Sequence, residues 1–71
     1  MKLREWKVAI DMGDIHNPII VMVKTSPYAS KGVAFNKAAF KKFGKANHKK
    51  ALMLNKFSIV DSNLIEEIIY D

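Results

Sequence analysis

Arg4, Trp6, Val8 and Ile10 alternate with Glu5, Lys7, Ala9 and Asp11. Successive side chains of an extended strand point to opposite faces, so this period of two predicts a strand over residues 3–11 with one buried face. Such a strand needs neighbours and a covering layer. The 71 residues include no cysteine, so the core must hold without disulfides or thiolate metal sites. A chain of this length buries only about 60% of the surface exposed by its unfolded form, which leaves a thin margin of stability. A hydrophobic share of 49% is enough for a folded domain despite the net charge of +5. The expectation is one domain spanning residues 1–71.

Gly13, Asp14 and Asn17, followed by Pro18, favour turn dihedrals and make a connection of residues 12–17. Met12 and Ile15 within it are placed to fold back on the core. Ile19 to Val23 is β-branched and short, so it reads as a second strand, covered on both faces or centrally placed in the sheet, and antiparallel to the first. Pro27 ends it, since proline cannot donate to a ladder. Ser30 is then a plausible N-cap for a helix starting near Lys31 and stopping at Gly44, with Lys41 and Lys42 against the negative end of its dipole. At 100° per residue Val33, Asn36, Phe40 and Phe43 gather on one side of that helix, extended by Ala39 and Phe35. This arc predicts that Val33, Phe40 and Phe43 join the sheet in one core. Residues 45–56 read as a short helical or irregular connection in which Asn47 can cap. Phe57 to Val60 makes a third strand ending at the turn-forming Asp61-Ser62-Asn63. Leu64, Ile65, Ile68 and Ile69 stand at helical spacing and favour a short final helix, with a fourth strand as the alternative. The fold class is thus α+β, a small antiparallel sheet of order β-β-α-β with an open final element, packed against one amphipathic lysine-rich helix.

Charge is segregated along the chain. No acid occurs between Asp14 and Asp61, and Lys31, Lys37, Lys41, Lys42, Lys45, Lys49 and Lys50 crowd that interval. Lys37, Lys41 and Lys45 recur every four residues, which on a helix lines them along one face. The candidate site is therefore Lys37, Lys41, Lys42, Lys45, Lys49 and Lys50, a set able to neutralise several phosphates at once. Lysine is a mobile point charge without the fixed fork of arginine, so backbone contact is expected rather than reading of base edges. An ordinary solvated face explains such lysines too, but a face shaped for solubility alone usually mixes signs. Phe40 and Phe43 lie away from the lysines on the helix and read as core rather than as stacking groups, with Phe35 at the edge of the arc.

Other chemistry finds little support. Asp11, Asp14 and His16 put three ligand-type side chains in one loop, yet the spacing matches neither an EF-hand nor a zinc site, so no metal is expected. The four serines have no neighbouring base, Glu66 and Glu67 diverge, and the dispersed glycines write no phosphate-cradling loop. The chain reads as non-enzymatic and without a cofactor. No apolar block has signal-peptide or membrane-spanning length, which makes a cytoplasmic setting the expectation, with no membrane partner. The expected function is non-catalytic binding of nucleic-acid backbone, DNA or RNA, with low sequence specificity. The alternative is a small interaction module or inhibitor, of the phage or mobile-element accessory type, that docks on an acidic surface of a larger protein. Met12, Ile15 or Tyr28 would be its apolar anchor. An exposed edge strand is also compatible with a homodimer.

Overall fold

Lys2–Asp11 forms β1, the central strand of a three-stranded antiparallel sheet, with β2 (Ile19–Thr25) on one side and β3 (Lys56–Glu66) on the other. The computed structural model describes residues 1–13 and 17–68. Two helices, α1 (Lys31–Phe43) and α2 (His48–Leu54), lie between β2 and β3 in the chain, so the α+β order is β-β-α-α-β. The alternation of β1 does what its period requires. Trp6, Val8 and Ile10 are buried towards the helices, with Val8 and Ile10 sealed completely, a burial that stabilises by about 1.5–3 kcal/mol per side chain.

β2 departs from expectation. Val21, Val23 and Thr25 are buried, whereas Ile20 and Met22 are 50% and 39% exposed, so this strand is covered on one face and not on both. The reason is its place at the edge of a two-layer structure whose helices lie on the buried side of the sheet. β3 departs further. Asp61-Ser62-Asn63 does not end it, and Leu64 and Ile65 belong to the strand rather than to a final helix. Long β1 offers a pairing partner all the way from Asp11↔Lys56 to Lys2↔Glu66, and this outweighs the local turn signals. The strand absorbs the conflict with a bulge. Lys7 stands opposite Asp61 and Val8 opposite Ile59, so Val60 is the extra residue. On its near side Phe57 and Ile59 pack on the core. Past it the alternation resumes one residue out of step, which puts Ser62 beside Arg4 with a 2.9 Å hydrogen bond from Nη1 to Oγ. Ile68 is exposed and outside the strand, and Ile69 lies outside the described residues.

α1 keeps its expected limits. Gly44 has φ 85°, the left-handed region open to glycine, and its N–H donates to the Phe40 carbonyl at 2.9 Å. Its buried side overlaps the expected arc only in part, at Phe35, Ala39 and Phe43. Ala34, Ala38 and Ala39 are fully buried, Phe35 and Phe43 are partly buried against the core, and Val33 and Phe40 are 41% and 51% exposed. Small alanines let the helix axis approach the sheet, which the ring of Phe40 would hold off. α2 is the short helical connection, and its buried residue is again an alanine, Ala51. Met12, expected to fold back, is 48% exposed, and Ile15 lies outside the described residues.

Candidate functional site

The interval from Lys31 to Leu54 builds the helical layer and holds seven lysines and no acid. The rest of the chain holds five basic and seven acidic residues, so a formal charge of +7 sits on the helical layer and −2 elsewhere. Among the described residues the ion pairs join the Met1 amine to Glu66 and Lys24 to Glu67, each at 3.1 Å. Neither uses a lysine of the helical layer.

The six lysines fall into two groups. Lys37 and Lys41 leave α1 on the side of β2 and reach over its outer edge. Lys37 Nζ donates to the Lys24 carbonyl and Lys41 Nζ to the Met22 carbonyl, each at 2.9 Å. Lys42, one residue on, borders a shallow depression with Ile19, Ile20, Val21, Met22 and Lys41. Lys45, Lys49 and Lys50 surround the turn into α2, and Lys50 borders a separate depression with Phe43, Asn47, Ala51, Leu54 and Asn55. All six are exposed. Lys37 and Lys41 are thus held in place by the strand edge, while an ammonium group keeps further N–H donors for a second acceptor.

Phe40, read from the sequence as core, is 51% exposed on α1. Its ring meets that of His48 at a centroid distance of 5.5 Å and an interplanar angle of 61°, an edge-on arrangement. His48 Nδ1 lies 3.0 Å from the Lys45 carbonyl. A carbonyl only accepts, so Nδ1 carries the proton in this bond and Nε2 faces away from it. The signal that could have found this pair is the alanine stripe, because Ala34 and Ala38 one turn apart mark the sheet-facing line and leave Phe40 on the far side.

The remaining expectations can be placed in turn. Asp11 Oδ1 accepts from the Gly13 N–H at 2.9 Å, a local turn bond, while Asp14 and His16 lie outside the described residues. Among the described residues no three His, Asp or Glu side chains gather as metal ligands. Tyr28 is 97% exposed, and Met53 and Leu54 stand exposed at the end of α2. No helix among the described residues is long and apolar enough to cross a membrane. Comparison with protein-family models, with curated proteins and with solved structures finds no match.

Proposed function

We propose that this chain is a small non-catalytic nucleic-acid-binding protein that takes the phosphate backbone onto the lysines of its helical layer, with low sequence specificity. The observation that carries the reading is the acid-free helical layer, whose lysines make no ion pair with a carboxylate among the described residues. Phosphates arriving there meet ammonium groups that need not break an internal pair first, and the condensed counterions they release favour binding. The tethering of Lys37 and Lys41 to backbone carbonyls supports the reading further, because charges already held in place lose less side-chain entropy on binding. Absence of arginine from the layer fits contact with backbone rather than with guanine edges. A cytoplasmic setting goes with this reading.

The test is fluorescence anisotropy with labelled single-stranded and double-stranded DNA and RNA, run from about 50 to about 200 mM salt. For about four phosphate contacts the affinity falls roughly a hundredfold over that range. The variant carrying Lys42→Gln, Lys45→Gln, Lys49→Gln and Lys50→Gln spares the two lysines that hold the strand edge, and it should lose most of the affinity and most of the salt slope. Equal binding by this folded variant would remove the proposal.

One observation favours a second reading. Met53 and Leu54 are exposed side by side on α2, next to Lys49 and Lys50, an apolar anchor with a cationic rim suited to an acidic protein surface. Binding of that kind would depend far less on salt.

A further inference from the structure

We infer that the Phe40 ring is a stacking platform for an unpaired nucleobase, which makes the ligand of the lysine layer single-stranded nucleic acid rather than a duplex. The inference rests on the nucleic-acid reading above and adds the class of ligand to it.

Phe40 is half-exposed, although a 71-residue chain has few large apolar side chains to spare from its core. The only aromatic contact it makes among the described residues is with His48, at 61° between ring planes. Beside that contact half of the Phe40 side chain remains exposed to solvent. Lysines flank Phe40 along the chain. Lys37 lies one turn earlier on α1 and Lys41 is the next residue, their ammonium groups held on the edge of β2. His48 brings Lys45, through the contact of its Nδ1 with the Lys45 carbonyl, and Lys49 beside it. An exposed aromatic ring on a lysine-rich layer suits a single strand, because its bases are free to stack while its phosphates find the lysines. In a duplex the base faces are already stacked on one another and unavailable, so a ring on a helix surface gains nothing from them. The edge-on histidine fixes the Phe40 ring, so that little rotamer freedom is lost when a base settles on it.

The experiment compares wild type with Phe40→Ala, Phe40→Leu and Phe40→Trp on a labelled oligothymidine, on a duplex of the same length and on an abasic phosphodiester oligomer. Circular dichroism confirms that each variant is folded. Phe40→Ala and Phe40→Leu should weaken oligothymidine binding about five- to 150-fold, the leucine showing that apolar bulk does not replace a ring. Duplex and abasic binding should stay as in wild type. Phe40→Trp should keep the affinity, and its emission should be quenched by oligothymidine beyond any change in Trp6 of the wild type. Oligothymidine binding unaltered by Phe40→Ala, with salt-dependent binding intact, overturns this inference and leaves the lysine reading standing. Wild type that binds duplex as tightly as oligothymidine also overturns it, and wild type that binds no nucleic acid overturns both.

Discussion

Thr25 is the buried polar side chain among the described residues, 2% exposed, and it is fully employed. Its Oγ1 accepts from Trp6 Nε1 at 2.8 Å and donates to the Ser26 carbonyl at 2.8 Å. A buried indole N–H is costly to leave without a partner, so Thr25 ties the largest aromatic of the core to the end of β2. Thr25→Val keeps the shape, removes the acceptor and should destabilise by about 1–3 kcal/mol in urea unfolding. Thr25→Ser restores the acceptor and should cost less than the valine. A larger loss in the serine than in the valine variant would mean that the methyl group, not the hydrogen bond, matters here. None of this was legible in the sequence, where Thr25 is merely the residue before Ser26 and Pro27. The alternation of β1 did mark Trp6 as core, because the buried set of a strand follows from its period alone. A pairing between side chains 19 residues apart depends on strand register, which no local pattern encodes.

At the level of elements, both edges of the sheet carry devices against further pairing. Along β2 the carbonyls of Met22 and Lys24 point outward and are occupied by Lys41 and Lys37. Along β3 the bulge at Val60 breaks the ladder, and Asp61 Oδ1 accepts from the Ser62 N–H at 2.9 Å while its Oδ2 accepts from Asn63 Nδ2 at 3.0 Å. Charged side chains and bulges of this kind protect an edge from adding a strand of another molecule. The segment protected on β2, Ile19–Thr25, is β-branched and holds a single charge, the composition most prone to such pairing. Lys37→Ala with Lys41→Ala should therefore bring concentration-dependent self-association in sedimentation velocity. Lys42→Ala with Lys45→Ala removes the same charge without uncapping the edge and should stay as wild type. Association in both pairs would assign the effect to lost charge repulsion instead. The limits of α1 and the antiparallel pairing of β1 with β2 were open to the sequence, since capping glycine and β-branched runs are local signals. The buried side of α1 was not, because alanine contributes little to a hydrophobic stripe while deciding how closely a helix can approach a sheet. The final helix was misread for a related reason: the isoleucines fit either period, and only the length of β1 decides between them.

The whole molecule is elongated to 42 × 24 × 19 Å, with the positive charge concentrated in the helical layer and the strands of the sheet close to neutral. On the uncovered face of the sheet opposite charges stand across from one another in register, Lys7 with Asp61 and Glu5 with Lys24, so that face is neutralised from within. The helical layer has no such relief. Lys37 and Lys41 stand four residues apart on α1, and like charges so spaced cost a few tenths of a kcal/mol, while Lys42, Lys45, Lys49 and Lys50 add their repulsion around the turn into α2. Summed over the layer the repulsion is on the order of 1 kcal/mol, which for a domain of this size corresponds to about 4–8 °C in Tm. Salt screens that repulsion within the folded state and dilutes it less in the unfolded chain, where the lysines are farther apart. Raising sodium chloride should therefore raise Tm by a few degrees, while the same salt weakens binding to nucleic acid. The two slopes of opposite sign separate a lysine layer under internal strain from one that simply pairs with acids. If Tm instead falls with salt, attractive pairs dominate the field of the molecule, and the helical layer is not the unrelieved positive surface on which its binding role depends.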